Sequence, residues 1–208
     1  MMQTPWNEAE FWDNRFKVED IPWDIGKVSP TLSSIESTEI IPAGGSIIVP
    51  GAGNGHDSIY FAKKGYIVSA VDWSKTAISS LRGASKANSV DIELLCASFW
   101  DIPSTWFGSF DGLVEHTFYC AIDPALRSRY VDMAANLLRP GGHLIGAVFI
   151  GDPGSDYLNR VEPPFFTTVD EFTKGFRAKF DIEILNPSNS AVDGRKEFEY
   201  SAVLKRKI

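Results

Sequence analysis

Short apolar runs alternate with amphipathic segments along most of this chain. Runs of about four to eight mostly aliphatic residues predict buried strands, and apolar positions about three or four residues apart predict helices. The predicted strands are residues 46–50, 66–71, 92–97, 110–115 and 143–150, and the predicted helices are residues 30–40, 57–64, 76–87 and 125–138. Because strands and helices alternate, we expect a parallel sheet with helices packed on both faces.

The C-terminal part of the chain breaks this alternation. Residues 181–185 and 198–204 are two more strand-like runs, and the stretch between them is polar and rich in Asn, Ser, Pro and Gly. No crossover helix fits into that stretch, so the two strands should pair antiparallel. The sequence therefore predicts a Rossmann-like α/β fold. We expect a seven-stranded, mostly parallel sheet with helices on both faces and an antiparallel strand at its C-terminal end.

Length and composition favour one domain. The chain has 208 residues, 44% of them hydrophobic, and shows no internal repeat or low-complexity linker. This is enough chain to bury one full core. We expect a single domain over residues 1–208, in which residues 1–30 form an aromatic N-terminal arm, called the arm below.

Charge and cysteine content narrow the classes of partner. The formal net charge of −7 argues against nucleic-acid binding, which needs clustered Lys and Arg. The first residues lack the basic start and apolar stretch of a signal peptide, and no run is long enough to span a membrane. Cys96 and Cys120 lack the spacing of a metal site or a disulfide framework. We therefore expect a cytoplasmic protein without a metal ion, and a monomer because no apolar surface stripe is evident.

A glycine-rich loop, residues 51–55, follows the first predicted strand and precedes a helix. Gly51, Gly53 and Gly55 would let the backbone turn sharply and approach a ligand closely. Asp72 ends the next strand, where its carboxylate can accept hydrogen bonds from both hydroxyls of a ribose. Together they predict a ligand that contains adenosine. The alternative is that the glycines form a structural turn and that Asp72 caps the following helix.

The spacing of the glycines favours a methyltransferase over a nicotinamide-dependent oxidoreductase. The dinucleotide-binding fingerprint needs a small residue one position after Gly55, and His56 stands there. The shorter Gly-x-Gly-x-Gly form is typical of methyltransferases.

Four stretches of the chain carry a more specific signal. They are Phe-Trp-Asp-Asn-Arg-Phe at 11–16 leading to Pro-Trp-Asp-Ile-Gly at 22–26, Val-Pro-Gly-Ala-Gly-Asn-Gly-His-Asp at 49–57, Thr-Phe-Tyr-Cys-Ala-Ile-Asp-Pro at 117–124 with Arg127, and Leu-Leu-Arg-Pro-Gly-Gly at 137–142. With them the sequence resembles the thiopurine S-methyltransferase family, and most closely its branch of small thiol and halide methyltransferases. The chain departs from the family pattern at Phe16, Ala52 and the pair Glu115-His116, which bears on the choice of substrate.

The resemblance implies S-adenosylmethionine as cofactor and an arm that closes over it. The implied cofactor-binding residues are Gly51, Gly53 and Gly55 of the loop, Asp72 and Trp73 after the second strand, Ser98 and Phe99 after the third, His116 after the fourth, and Trp12, Phe16 and Trp23 of the arm. Aromatic faces can hold the sulfonium cation without a counter-ion. The alternatives are that the arm aromatics only pack onto the sheet and that His116 acts as a general base. Trp100 is expected to face away from the ligand as a packing residue.

The acceptor should bind beside the transferred methyl group. The expected acceptor-binding residues are Phe118, Tyr119, Arg127 and Phe149, together with the loop 163–165. Arg127 could pair with an anionic acceptor or could be a solvated helix residue. We expect no catalytic residue, because a thiolate is a strong nucleophile already, and we interpret Cys120 as a packing residue.

These observations lead to one functional hypothesis and three alternatives. The hypothesis is transfer of a methyl group from S-adenosylmethionine to a small-molecule nucleophile, preferentially a thiol or a similar soft acceptor. The alternatives are O- or N-methylation of a small natural product, a nicotinamide-dependent oxidoreductase on the same type of sheet, and a catalytically silent cofactor-binding protein.

Overall fold

A computed structural model describes residues 5–208, so the first four residues of the predicted arm lie outside the described part. The strands are β1 Ser46–Pro50, β2 Ile67–Asp72, β3 Ile92–Cys96, β4 Phe110–His116, β5 Leu138–Phe149, β6 Phe180–Pro187 and β7 Glu199–Arg206. The α-helices are α1 Ala9–Lys17, α2 Pro30–Glu36, α3 His56–Lys63, α4 Lys75–Ala87, α5 Arg127–Leu137 and α6 Val169–Phe176. No helix in this part of the chain is long and apolar enough to cross a lipid bilayer.

The seven strands form one sheet in the order β3-β2-β1-β4-β5-β7-β6. Strands β1 to β5 pair in parallel, whereas β7 is antiparallel to both of its neighbours, β5 and β6. The prediction of a Rossmann-like, mostly parallel sheet with one reversed strand is therefore confirmed. The reversed strand is β7, which the chain inserts between β5 and β6.

The sheet is buried on both faces, as the apolar runs predict. Ile48 in β1 packs into one core cluster with Tyr130 of α5 and Phe172 of α6. Its neighbour Ile47 points the opposite way and packs into a second cluster that includes Leu81 of α4. Successive side chains of a strand point to opposite faces, so each central strand supplies both layers of the core.

Two helices and several boundaries differ from the prediction. Helix α1 forms inside the arm, and helix α6 forms between β5 and β6, where no helix was predicted. Helix α6 begins with a capping box in which Thr168 and Glu171 each bond to the backbone of the other, a signal that was present in the sequence. Helix α2 ends at Glu36, earlier than predicted, and β5 begins at Leu138 rather than at residue 143.

The order of the strands creates a crevice. From β1 the chain proceeds to β2 on one side, whereas β4 lies on the other side of β1. In open α/β sheets, ligands bind outside the carboxyl ends of the strands at such a switch point. A cavity opens at this edge of the sheet.

Candidate cofactor and acceptor site

The cavity has a volume of about 770 Å³, within the range of small-molecule sites. Its walls come from the arm, from the loops after β1 to β5 and from the connection between β6 and β7. The predicted site residues that line it are Trp12, Phe16, Trp23, Gly51, Asp72, Trp73, Ser98, Phe99, Phe118 and Phe149. Gly53, Gly55, His116, Tyr119 and Arg127 do not line it.

Asp72 ends β2 and is buried, with 8% of its surface exposed. Its Oδ2 accepts a hydrogen bond from Gly53 N at 3.0 Å, and its Oδ1 accepts one from Ser74 N at 2.8 Å. Burial raises the pKa of the Asp72 carboxyl to about 6, although the hydrogen bonds from these two amides act to lower it. A carboxylate has about four acceptor positions, so Asp72 can accept further hydrogen bonds from ligand hydroxyls in the cavity.

The three glycines of the loop have different surroundings. Gly51 lines the cavity at φ 59°, and a Cβ there would lie 2.5 Å from Phe118 Cδ2, so no larger residue fits. Gly53 acts through its amide, which positions Asp72. Gly55 has φ 85°, and a Cβ there would lie 2.0 Å from Leu81 Cδ1 in the core. The backbone of Gly55 therefore packs directly against α4, where a larger residue would not fit.

The arm supplies an aromatic wall. The Trp23 ring makes edge contacts with Trp12 and Phe16, with centroids 5.4 and 5.9 Å apart. The guanidinium of Arg15 lies 4.7 Å from the Trp23 centroid. Aromatic faces attract cations, so this wall fits the sulfonium of S-adenosylmethionine. The buried carboxylate of Asp72 and the close approach at Gly51 fit its adenosine part.

The segment after β3 forms the opposite wall. Ser98 and Phe99 both line the cavity, and Phe99 stacks on Tyr130 with centroids 5.4 Å apart. Trp100 lines the cavity as well, so the prediction that it faces away is wrong. The strand does not continue through this segment: Phe99–Asp101 form a 3₁₀ turn, which removes the alternation of side chains on which the prediction rested.

His116 is held behind the cavity wall rather than on it. Its Nδ1 lies 2.7 Å from Asp57 Oδ2, and its Nε2 lies 2.9 Å from Arg195 Nη1. A guanidinium can only donate, so Nε2 accepts and Nδ1 carries the proton that is shared with Asp57. This arrangement connects the start of α3 to the β6–β7 connection.

Glu115 fixes the loop that follows β4. It is 1% exposed, and its Oε1 accepts hydrogen bonds from Phe118 N and Tyr119 N, each at 2.8 Å. Its Oε2 accepts a third from the Tyr130 hydroxyl at 2.8 Å. Burial raises the pKa of Glu115, while these donors act in the opposite direction. The result is a rigid turn that places Phe118 beside Gly51.

We call the part of the cavity that is lined by the segments after β4 and β5 and by the β6–β7 connection the acceptor end, because Phe118 and Phe149, which the sequence predicts to bind the acceptor, lie there. Besides Phe118 and Phe149, the residues that line it include Cys120, Arg160, Glu162, Pro163, Pro164, Arg195 and Phe198. Burial raises the pKa of the Cys120 thiol to about 12, so the thiol stays protonated. Arg195 and Phe198 were not predicted, because nothing in the polar stretch around them marks a ligand site.

Arg127 and Tyr119 are used for packing next to this end. The Arg127 guanidinium donates hydrogen bonds to the carbonyl oxygens of Phe165 and Phe166, the shortest at 2.7 Å. It also lies 4.7 Å from the centroid of the buried Tyr119 ring. Arg127 therefore holds the segment after Pro164 in place and does not line the cavity.

The sequence matches the family model of thiopurine S-methyltransferase over residues 7–206. It is 31% identical to "Probable thiol methyltransferase 2" of Arabidopsis thaliana, over 93% of this chain and 83% of that protein. It is 29% identical to thiocyanate methyltransferase 1 of the same plant, over 80% and 73%, and 26% identical to bovine (Bos taurus) thiopurine S-methyltransferase, over 77% and 71%.

Solved structures share the fold at lower identity. A 1,6-didemethyltoxoflavin N1-methyltransferase from Burkholderia thailandensis, solved with S-adenosylhomocysteine, has a TM-score of 0.79 and 17% identity over 100% of this chain and 92% of that chain. A protein from echinomycin biosynthesis that converts a disulfide bond into a thioacetal group has a TM-score of 0.80 and 20% identity, over 96% and 93%.

These matches exclude the nicotinamide-dependent alternative. The motifs of the arm, the glycine loop and the segment after β4 all fall within the matched region. The protein is an S-adenosylmethionine-dependent methyltransferase, and its chain belongs to the thiopurine S-methyltransferase family.

Proposed function

We propose that this enzyme methylates a small molecule at a thiol or a similarly soft nucleophilic atom. The observation that carries the proposal is the chemistry of the acceptor end. Among the described residues, no histidine lines the cavity, and the carboxylates that line it are the exposed Asp20 and Glu162 and the hydrogen-bonded Asp72. An acceptor that ionises on its own, such as a thiol, needs no general base from the protein.

The lining residues divide into groups by position. We infer that Gly51, Asp72, Trp73, Ser98 and Phe99 hold the adenosine part of the cofactor and that Trp12, Phe16 and Trp23 surround its sulfonium. Phe118 and Phe149 would then contact the acceptor. Gly53, Gly55 and His116 would act by positioning their neighbours, since they lie behind the wall.

Positioning supplies most of the rate in this proposal. Bound S-adenosylmethionine supplies an electrophilic methyl group on a cationic sulfur. The aromatic walls hold that charge, exclude water and align the acceptor, and such alignment is worth about 7–11 kcal/mol of the barrier. The protonated Cys120 thiol does not compete for the methyl group.

The relatives support a sulfur acceptor, because they are named as thiol, thiocyanate and thiopurine methyltransferases. We further infer a monomer in a reducing cytoplasm. The two free cysteines, Cys96 and Cys120, and the acidic composition support this inference.

The test is release of S-adenosylhomocysteine with a panel of thiols, thiopurines, halides, phenols and N-heterocycles. We expect turnover on a thiol, with a rate that rises with pH as the thiolate fraction rises. Turnover confined to phenols or N-heterocycles would replace the proposed acceptor by an O or N nucleophile. Binding of S-adenosylmethionine without turnover on any class would indicate either a specialised acceptor outside the panel or a catalytically silent protein.

A further inference from the structure

The arm motif at residues 22–26 contains a carboxylate that does not line the cavity. Asp24 Oδ1 accepts a hydrogen bond from Gly26 N at 2.7 Å and lies 3.1 Å from His56 Nε2. Its Oδ2 accepts a hydrogen bond from Asn54 Nδ2 at 2.7 Å. These contacts join the arm to the glycine loop and to the first turn of α3.

Contacts of its own carbonyl group and of the next residue hold Trp23 in place. The carbonyl oxygen of Trp23 accepts a hydrogen bond from Arg195 Nη2 at 2.5 Å, and the next residue is Asp24. The Trp23 ring lies between Trp12 and Phe16 and lines the cavity. The contacts of Asp24 therefore lie next to the aromatic wall that faces the proposed sulfonium position.

A second arm carboxylate makes the same kind of contact further on. Asp13 Oδ1 accepts hydrogen bonds from Ser74 Oγ at 2.8 Å and from Thr76 N at 2.9 Å. The hydrogen bond with Lys17 is the largest of the causes that hold the pKa of Asp13 well below its usual value, and the hydrogen bonds from Thr76 and Ser74 lower it further. Asp13 thus ties α1 to the first turn of α4, which follows Asp72.

Apolar packing covers the arm only in part. No residue of α1 is buried, although its aromatic side chains are partly covered. Burial of apolar surface is the main force that keeps a segment in place, so a helix without buried residues depends more on its polar contacts. Asp24 is 13% exposed, and its contacts are therefore partly shielded from water.

We propose that Asp24 is a positioning residue of the methyl transfer, which keeps the aromatic wall of the arm closed by binding Asn54 of the glycine loop and His56 of α3. The proposal rests on the proposed function, because it takes the glycine loop as the cofactor site. It makes closure of the arm depend on the shape of that loop. A cofactor that orders the loop would thereby also order Trp23.

The test compares Asp24→Asn, the reciprocal double variant Asp24→Asn with Asn54→Asp, and Glu19→Gln as a control on an exposed arm residue. In the double variant the amide at position 24 can donate to the carboxylate at position 54, which restores the lost pair with its roles reversed. The readouts are calorimetric affinity for S-adenosylhomocysteine and hydrogen exchange of residues 9–28. Neither readout needs an acceptor.

We expect Asp24→Asn to weaken S-adenosylhomocysteine binding about tenfold, to abolish ligand-induced protection of the arm, and to change the melting temperature by less than about 3 °C. The double variant should recover most of the affinity and of the protection, and Glu19→Gln should match the wild type. A merely structural role for Asp24 would instead lower the melting temperature without a ligand-dependent change in the arm.

Three outcomes would overturn the proposal. They are wild-type affinity and arm protection in Asp24→Asn, no recovery in the double variant, and an equal loss in Glu19→Gln. Should Asp24→Asn not fold, Asn54→Ala removes the same pair from the loop side and is expected to give the same loss. Wild-type protein that does not bind S-adenosylhomocysteine would overturn the proposed function itself, a result that is distinct from all of these.

Discussion

The two ends of the cavity are built in different ways. The end that we propose for the cofactor is made by backbone turns that directly follow β1, β2 and β3, with Gly51, Asp72 and Ser98 each close to the end of its strand. The acceptor end is made by side chains from distant parts of the chain, such as Cys120, Phe149 and Phe198.

This difference follows from what each end has to bind. A ribose and an adenine are recognised by fixed donors and acceptors, which short turns at strand ends supply. A small acceptor is enclosed by apolar surface, and many combinations of side chains can provide that surface. We therefore expect changes at the cofactor end to act on cofactor affinity and changes at the acceptor end to act on the acceptor KM.

The largest expected effect is that of Asp72→Ala. Loss of charged hydrogen bonds to both ribose hydroxyls should weaken S-adenosylhomocysteine binding by about 3 kcal/mol, roughly 100-fold. Isothermal titration calorimetry measures this change directly. Phe198→Leu is the control at the other end, where the affinity should stay within about twofold of the wild type. An unchanged affinity in Asp72→Ala would remove the ribose assignment.

The pH dependence of cofactor binding sharpens the same assignment. The pKa of Asp72 is raised to about 6, mainly by burial, so the carboxylate that accepts the hydroxyls is lost as the pH falls through that value. Affinity for S-adenosylhomocysteine should be constant above about pH 7 and should fall up to about tenfold per unit below about pH 6. Asp72→Asn should show weak binding without this dependence.

The contribution of Asp72 to folding stability depends on pH in the opposite direction from its contribution to cofactor binding. A carboxyl with a raised pKa binds its proton more tightly in the folded state than in the unfolded state. Its contribution is fully present below the unfolded value of 3.8 and is lost as the pH rises through about 6. Thermal melting of the protein without ligand, compared with Asp72→Asn between pH 4 and 7, measures this difference; parallel profiles would contradict it.

A smaller effect is expected from Arg127→Ala. Its guanidinium holds the carbonyl oxygens of Phe165 and Phe166, so its removal should loosen the wall of the acceptor end. The KM should rise about tenfold for anionic and neutral acceptors alike, with little change in cofactor affinity. Steady-state kinetics with a matched acceptor pair distinguishes this result. A loss confined to anionic acceptors would show direct pairing instead.

The smallest effect is expected from Cys120→Ala. The thiol is buried, its pKa is about 12, and it packs with Phe149 and Phe166. Without a covalent role, its removal should change kcat by less than about threefold and cost stability of about 1 kcal/mol. Single-turnover methyl transfer measures this, and a loss of two orders of magnitude would require a covalent step on Cys120.

The sequence predicted most of the fold and several residues that line the cavity, among them Gly51, Asp72 and Phe99. Its apolar runs predicted all seven strands, and the short polar stretch between the last two predicted the reversed strand, which the structure confirms. Helix α6 was missed although its capping box was present in the sequence, and α1 was hidden within the aromatic arm. Trp100 was misplaced because a 3₁₀ turn follows β3, so the alternation of strand side chains does not extend to this residue.

The acceptor end could not be predicted in the same way. Arg195 lies in a polar connection, and its partners His116 and Trp23 are 79 and 172 positions away in the chain. No local pattern encodes such a contact, since it depends on how β7 is inserted beside β5. Arg127 was expected to pair with an acceptor or to be solvated. In the structure its guanidinium instead donates hydrogen bonds to two backbone carbonyl groups.

The sequence by itself determined the sheet, the glycine loop and the carboxylate of Asp72, because these depend on local periodicity and on short turns at strand ends. Only the tertiary structure decided which side chains enclose the acceptor and which polar groups hold the arm. Those contacts join residues that are far apart in the chain, and their geometry exists only once the sheet has brought its edges together.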